Sequence, residues 1–226
     1  MEPPGILALE IRGERLLLHP VRAVVWPARR TVIVADTHFG KSSVFGRHGI
    51  AVPDGTDAYD RERLAALLAQ TQAQRLLLLG DFLHGALDAQ QGAARDLALW
   101  LRRLRGVCVA LVTGNHDRTA AAGWQAPVNW QGDELIDGPF RFTHEDLNDS
   151  QHFVISGHVH PVVTLRGLRK HRLRVPVFWE RAGGLVLPSF GSFTGGYRVE
   201  PQGEERVYAA GPETVVELKV ARRARP

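Results

Sequence analysis

Cysteine and lysine are scarce in this sequence of 226 residues, which contains one cysteine and three lysines. A single cysteine excludes an intramolecular disulfide and argues against a metal site built from thiolates. Because Cys108 lies within an apolar run, we expect its thiol to be buried and to behave as a small hydrophobic side chain.

Long hydrophobic runs are also missing. No run approaches the roughly 18 to 20 residues that a membrane-spanning helix needs. The segment MEPPGILALEIRGE at the start of the chain carries acidic and proline residues where a signal peptide would be basic. We therefore expect a soluble, cytoplasmic protein without membrane association. The length and the hydrophobic content of 44% are typical of one domain, which we expect to comprise residues 1–226.

Arginine supplies nearly all of the positive charge. Lysine occurs only at positions 41, 170 and 219, while the net charge is +4 and the isoelectric point is about 9.7. Guanidinium groups match the geometry of phosphate oxygens, so this composition hints at a phosphate-bearing or nucleic-acid partner. GC-rich coding also produces arginine-rich chains, and the charge alone leaves both explanations open.

Apolar runs alternate with helical periodicity in the first half of the chain. Short strands are predicted in ILALEI, RLLLH and VRAVVW, and continuous apolar runs follow at residues 31–36, 75–81 and 107–112. Helical periodicity separates these runs at residues 57–70 and 89–105. This alternation predicts an α/β fold with parallel strands.

The character of the sequence changes after about residue 135. Short strand-like runs such as FRFTH, HFVISGHVH, RLRVPVFWE and TVVELKV dominate, and helical signals are few. Residues 119–134, just before this change, form the least structured stretch. We expect one domain of two packed sheets with helices outside.

Five apolar runs end in side chains that commonly bind metals. The run ends read ADTH, GD, GNHD, FTH and SGHVH, and they supply Asp36, His38, Asp81, Asn115, His116, His144, His158 and His160. In an α/β sheet, the loops after the carboxyl ends of the strands converge on one edge. Residues that are distant in the sequence are therefore expected to meet there.

The residue types suit divalent metals. Aspartate, histidine and an asparagine carbonyl are oxygen and nitrogen ligands that suit Mn²⁺, Fe or Zn²⁺. The two aspartates, four of the histidines and the asparagine make seven such groups, which are too many for one tetrahedral ion. They suit two ions about 3.5 to 4 Å apart that share a carboxylate, as in phosphatases and nucleases. Each motif alone has an ordinary explanation as a turn or a core histidine. Their joint occurrence at successive strand ends favours a metal site.

The motifs and their order resemble the calcineurin-like metallophosphoesterases. ADTH, GD, GNHD, a lone histidine and GHVH match that family over about residues 31–161. The longer segments ADTHFGKSS, LGDFLHG, TGNHDR, SGHVHPVV and LPSFGSFTGG are similar to one subfamily, the bacterial ligase-associated DNA-damage-response endonucleases (PdeM). The resemblance implies a four-layer α/β/β/α sandwich with two packed mixed sheets.

The same resemblance implies an activity and its partners. The protein would be a metal-dependent phosphodiesterase or endonuclease that hydrolyses phosphodiester bonds in DNA as part of DNA repair. It would use two divalent ions, with Mn²⁺ as the first choice and Zn²⁺ or Fe as alternatives. A functional association with a DNA ligase and a helicase is also implied.

The resemblance assigns a role to each motif residue. The first ion would be held by Asp36, His38 and His160 and the second by Asn115, His144 and His158, with Asp81 bridging both. His116 would face the substrate, stabilise the phosphoryl charge and protonate the leaving oxygen. Asp117 would orient the His116 ring or, alternatively, form a solvent-facing cap of the next helical turn.

Three further residues are candidate substrate contacts. His84 stands where many family members have an acid or an arginine, and it would contact phosphate or brace a metal ligand. Lys41 and Arg118 would contact phosphate, although each also has an explanation as a solvated surface charge. The glycine-rich residues 190–196 would either bring backbone close to the metal edge or form a plain turn.

Other functions compete with the endonuclease. A phosphatase or small-nucleotide hydrolase of the same fold would use the same metal ligands. A non-catalytic scaffold is disfavoured, because this chain keeps every ligand and the histidine of GNHD. A metallo-β-lactamase type of hydrolase would need His-x-His-x-Asp-His, a pattern that HVHPVV lacks.

Overall fold

A mixed sheet forms the first half of the molecule. The computed structural model describes residues 4–47, 55–84, 92–120, 124, 126–166 and 172–219. The strands of this sheet are β1 (Leu7–Ile11), β2 (Glu14–His19), β3 (Ala23–Trp26), β4 (Thr31–Val34), β5 (Arg75–Leu79), β6 (Cys108–Val112) and β7 (Asn129–Trp130). They lie side by side in chain order, antiparallel from β1 to β4 and parallel from β4 to β7. The predicted α/β pattern with parallel strands is thus confirmed.

The parallel strands are buried on both faces. Along β6, Val109 and Leu111 pack on the helical side, whereas Ala110 and Val112 pack between the two sheets. Successive side chains of a strand point to opposite faces, and each face here meets an apolar layer. Burial on both faces explains why these strands read as continuous apolar runs.

A second mixed sheet carries the rest of the chain. Its strands are β8 (Glu134–Asp137), β9 (Phe140–Thr143), β10 (Phe153–Ser156), β11 (Pro161–Arg166), β12 (Arg172–Arg181), β13 (Gly184–Val186), β14 (Tyr197–Arg198), β15 (Arg206–Ala210) and β16 (Val215–Leu218). The order is β14-β11-β12-β13-β10-β9-β8, and β15 pairs with both β12 and β16. The long strand β12 connects the strands of this sheet, because it pairs with β11, β13 and β15.

Large apolar side chains hold the two sheets together. The fully buried ring of Trp26 lies edge-on to Phe140, with the ring centroids 4.9 Å apart, and its indole N–H donates to Glu14 at 2.8 Å. Phe142 and Phe178 are fully buried in the same layer. Burial of each such side chain stabilises the fold by about 1.5–3 kcal/mol. The layer fixes how the strand ends of one sheet lie against those of the other.

Helices cover the outer face of the first sheet. They are α1 (Lys41–Arg47), α2 (Thr56–Thr71), α3 (Gly92–Arg103) and α4 (Asn115–Ala120). Leucines of α2 and α3 pack against that sheet. The helix predicted over 89–105 is therefore present over 92–103, and its first three residues lie outside the described part of the chain. Two packed mixed sheets with few helices confirm the expected fold class.

The described helices all precede residue 121. In the described part of the second sheet, Val163, Val177 and Val207 form an apolar cluster of their own on the face turned away from the first sheet. Within the described residues, no helix is long and apolar enough to cross a membrane.

The predicted burial of Cys108 is wrong. Cys108 is the first residue of β6, its side chain is exposed, and its sulfur accepts a hydrogen bond from the Asn129 amide at 3.1 Å. The apolar run starts before the strand enters the core, and hydrophobicity alone does not mark that boundary.

We expect the Cys108 thiol to react in the native protein with a chromogenic disulfide reagent, because exposed thiols are accessible to exchange. One equivalent of released thiolate should be measured without denaturant, and unfolding should release no more, since the chain has one cysteine. Reaction that starts only after unfolding would contradict the exposed position.

Candidate metal centre

The predicted ligands converge on one edge of the sandwich. The first sheet contributes residues that follow β4, β5 and β6, and the second contributes residues that follow β9 and β10: Asp36, His38, Asp81, Asn115, His144, His158 and His160. An isolated bridge between Ala35 and Ser189 brings the chain after β13 to the same edge. Side chains from both sheets thus meet where the carboxyl ends of the strands lie.

One cluster contains Asp36, His38 and His160, whose ligand atoms all lie within 4.8 Å of one another. The Nε2 atom of His160 is 3.3 Å from Oδ1 of Asp36 and 3.4 Å from Nε2 of His38. Asp36 is fully buried, and among the described residues its Oδ1 has no hydrogen-bond partner. A buried carboxylate oxygen without a partner is costly, and a cation at this point would remove that cost.

A second cluster contains Asp81, His144 and His158, again with ligand atoms within 4.8 Å. The Nδ1 of His144 donates to the Leu79 carbonyl at 3.0 Å, so its Nε2 carries the lone pair. That Nε2 lies 3.0 Å from Nδ1 of His158 and 3.5 Å from Oδ1 of Asp81. The bond to the Leu79 carbonyl therefore presents His144 in the tautomer that binds metals.

Asp81 belongs to the second cluster and also faces the first. Its Oδ2 is 3.8 Å from Nε2 of His38, and its Oδ1 is 3.5 Å from Nε2 of His144. The backbone N–H of His116 donates to Oδ1 at 2.9 Å. One carboxylate thus faces both groups of imidazoles, as a bridging ligand must.

The two imidazoles of the first cluster differ in their pKa. Burial disfavours protonation of His160, but the hydrogen bond and the charge of Asp36 outweigh it and raise the pKa of His160. Burial, followed by the charge of neighbouring groups such as His160 and His84, lowers the pKa of His38 to about 2. The Nδ1 of His160 donates to the Gly195 carbonyl at 3.2 Å, which directs its Nε2 toward Asp36 and into the cluster. Lone pairs and carboxylate oxygens repel one another at such distances, and the donor set therefore fits a divalent cation.

Five of the predicted ligands adopt left-handed backbone conformations. The described non-glycine residues with positive φ number nine, and among them are Asp36, His38, Asp81, His158 and His160. Their φ angles lie between 45° and 67°. Each such conformation costs about 1–2 kcal/mol for an L-residue. Strain concentrated in one place is typical of a functional site.

Two glycines are required by close approach to the carboxylates. A Cβ on Gly114 would lie 2.1 Å from the backbone N of Asp81 and 2.5 Å from its Oδ1. A Cβ on Gly157 would lie 2.7 Å from Oδ2 of Asp36. The glycines of GNHD and GHVH therefore make room for ligands that come from other strand ends.

Asp117 differs from both of its predicted roles. It is fully buried rather than solvent-facing, and its two oxygens accept backbone bonds from Leu83 and Gly114, each at 2.9 Å. The bond to Gly114 caps the start of α4 from the third helical position, as in a capping box. The bond to Leu83 ties α4 to the loop after β5. Asp117 thus fixes the backbone around Asn115 and His116, which is a positioning role and not contact with the His116 ring.

His116 and His84 lie on the open side of the first cluster. The two rings stack with centroids 4.6 Å apart, and the side chain of His116 is 43% exposed. Nδ1 of His84 is 3.1 Å from Nδ1 of His38, so one of these two rings donates to the other. Burial, followed by the charges of His116 and Lys41, lowers the pKa of His84 to about 4. His84 therefore fits the brace for a ligand that the sequence suggested.

Lys41 and Arg118, the two predicted phosphate contacts, differ in their surroundings. Lys41 stays near the site, with its Nζ 5.5 Å from the centre of the Phe45 ring and 5.8 Å from that of Phe193. Arg118 instead pairs with Asp133 at 2.7 Å, and both side chains are largely exposed. This geometry favours the surface-charge interpretation of Arg118.

The glycine-rich residues 190–196 do bring backbone to the metal edge, through the Gly195 carbonyl that holds His160. Sequence reasoning missed how this loop is held. Buried Asp60 of α2 accepts the backbone N–H of Ser192 at 2.7 Å. An acidic residue near a helix start also suits the helix dipole, so the pattern did not reveal this contact.

Comparison with known proteins agrees with the site. The calcineurin-like phosphoesterase family matches residues 29–184. The chain belongs to this family, and it is a hydrolytic phosphoesterase of a family that binds divalent metals.

The chain is also similar to proteins of solved structure. The crystal structure of the Pseudomonas putida nuclease MPE is 36% identical with a TM-score of 0.81, covering 94% of this chain and 100% of that one. Yfce, a phosphoesterase from E. coli, is 16% identical with a TM-score of 0.46 over 83% of this chain and 97% of its own, and it is too distant to bear on the site. No curated protein matches the sequence.

Substituting Gly114→Ala should disrupt the centre, because the new Cβ would collide with the backbone and carboxylate of Asp81. We expect divalent-metal content per chain, measured by elemental analysis, to fall together with phosphodiesterase activity. Gly92→Ala is the matched control, since the added Cβ meets no atom of the described residues within 4 Å. Equal metal content in both variants would contradict the close approach of Gly114 to Asp81.

Proposed function

We propose that this phosphoesterase is an endonuclease that hydrolyses phosphodiester bonds in DNA with two divalent ions. The observation that carries the proposal is the pair of ligand clusters on either side of Asp81. The likeness to a nuclease at 36% identity over 94% of the chain supports nucleic acid as the substrate. Participation in DNA repair alongside a ligase and a helicase is the finer part of the proposal, and it rests on the subfamily motifs.

Each cluster would hold one ion. The first would be bound by Asp36, His38 and His160 and the second by Asn115, His144 and His158, with Asp81 shared. When bound, the ions, with Mn²⁺ as the first choice, would supply positive charge that polarises the phosphoryl group and makes water a better nucleophile. The backbone carbonyls of Leu79 and Gly195 orient two of the imidazoles for this task.

His116 is the proposed acid. Its ring lies beside the first cluster, with Nε2 4.0 Å from Oδ2 of Asp81, and its side chain is 43% exposed. A partly exposed imidazole at the rim can reach a bound phosphodiester, stabilise the charge that develops on it, and donate a proton to the leaving oxygen. The stacked ring of His84 limits the orientations that His116 can adopt.

The dinuclear part of the proposal predicts metal content. Purified protein should bind about two divalent ions per chain, and Mn²⁺ should support faster turnover than Mg²⁺, because imidazole ligands suit Mn²⁺ better. Asp81→Ala should remove most of the activity and lower metal content, since that carboxylate faces both clusters. Elemental analysis and steady-state kinetics measure the two effects.

The control for this experiment is Asp133→Ala. Asp133 is an exposed carboxylate paired with Arg118, so its removal should leave metal content and turnover unchanged. Saturation of the wild-type chain at one ion would argue against two ions.

The acid role of His116 predicts dependence on the leaving group. The His116→Ala variant should keep its metals, because the backbone N–H of residue 116 still donates to the Asp81 carboxylate after the substitution. Its kcat on DNA should fall by roughly 10²–10⁴-fold, as for other positioned acids. Bis(4-nitrophenyl) phosphate should lose less, because nitrophenolate leaves without a proton.

Asn115→Ala is the neighbouring comparison, and it should weaken the second ion and slow both substrates alike. Equal losses on both substrates in His116→Ala would exclude proton donation. Activity confined to phosphomonoesters or small nucleotides in the wild-type protein would instead favour the small-substrate hydrolase.

A further inference from the structure

A basic segment of the chain follows directly after the last predicted metal ligand. Strand β11 begins at Pro161, immediately after the predicted ligand His160, and it forms an antiparallel hairpin with β12. Residues 150–179 contain no aspartate or glutamate, whereas residues 166–174 contain five arginines and lysines. The sequence around the hairpin is therefore strongly basic, and the described residues of β12 that contribute to this charge are Arg172 and Arg174.

The described arginines of the hairpin share one face. In β12, Phe178 packs between the sheets while Val177 packs on the opposite side. Side chains alternate along a strand, so Arg174 and Arg172 continue the face of Phe178, and Leu173 continues the other. Both arginines are exposed. The face of Phe178 is turned toward the first sheet, and the arginines therefore extend that face beyond the core.

The face that carries Arg172 and Arg174 begins beside the predicted metal ligand His160. The guanidinium of Arg174 donates to the Gly196 carbonyl, and the preceding carbonyl, that of Gly195, accepts from His160 at 3.2 Å. The register Val162–Arg198 places Arg198 of β14 on the same face, where its exposed side chain pairs with Glu200 at 3.0 Å. The hairpin and the centre are thus joined through one short stretch of backbone.

We propose that the arginine face, formed by Arg172 and Arg174, binds the phosphate backbone of a nucleic-acid strand and leads it to the metal centre. The inference rests on the proposed function and adds to it the surface that selects a polymeric substrate. Two arginines on alternate positions of a strand are roughly 7 Å apart, a spacing comparable with that of neighbouring phosphates in an extended strand. Guanidinium groups also match phosphate oxygens in geometry.

The test removes the two charges and keeps hydrogen-bond donors, in the variant R172Q/R174Q. Binding of a labelled single-stranded oligonucleotide is measured by fluorescence anisotropy over a range of salt concentrations, with Mn²⁺ replaced by Ca²⁺ to suppress cleavage. The control R102Q/R103Q loses the same charge from the exposed end of α3, which precedes β6 at the opposite edge of the sheet. Thermal melts verify that both variants fold, and R172Q alone serves if the double variant does not.

We expect R172Q/R174Q to bind the oligonucleotide roughly 10- to 30-fold more weakly, with the slope of log K against log salt smaller by about 1.4, as for the loss of two phosphate contacts. The same drop should appear in kcat/KM on DNA, whereas turnover of bis(4-nitrophenyl) phosphate should stay unchanged. The control should match the wild-type protein in all three measurements.

The possible failures are distinguishable. An unchanged salt slope and unchanged DNA cleavage in R172Q/R174Q would overturn the arginine face while leaving the endonuclease intact. Equal losses on DNA and on the small diester would also overturn it, because the arginines would then act through the metal centre. A wild-type protein that turns over the small diester but neither binds nor cuts DNA would overturn the proposed function itself.

Discussion

The burial of two carboxylates between the sheets is the constraint on which the rest of the site depends. Asp36 is fully buried and Asp81 is 4% exposed. Charged oxygens in such positions cost several kcal/mol unless hydrogen bonds or cations compensate them. Burial lowers the pKa of the neighbouring His38, so this imidazole brings a lone pair and no positive charge. The clusters therefore suit cations, and residues with left-handed backbone conformations and closely approaching glycines surround the two carboxylates.

The fold and the convergence of the candidate ligands were predictable for the same reason. A strand buried on both faces is a continuous apolar run, and a ligand placed at its carboxyl end is the first polar residue after that run. Asp36 after β4 and Asp81 after β5 follow this rule. Sequence pattern could therefore indicate both the layers of the fold and the side chains that converge at their edge.

Other features depend on which parts of the chain meet in space, and the sequence does not encode those locally. Asp117 reads as a surface cap, but the loop after β5 covers it and uses its carboxylate. Asp60 reads as a dipole partner of its own helix, yet it holds Ser192 from a distant loop. The apolar neighbours of Cys108 predict a buried side chain, although Cys108 is the first residue of β6 and is exposed. In each case the local sequence pattern did not reveal what surrounds the side chain in the folded protein.

The two sheets contribute different chemistry to the centre, and this couples the core to the site. The first sheet supplies both carboxylates, while the second supplies His144, His158 and His160. An ion bound across them would link the sheets and stabilise the folded state by mass action. Conversely, the apolar layer that includes Trp26 and Phe140 packs the two sheets against each other. Positioning errors of about 1 Å are costly for catalysis. The apolar layer between the sheets thus contributes to the arrangement of the candidate ligands, even where it lies far from them.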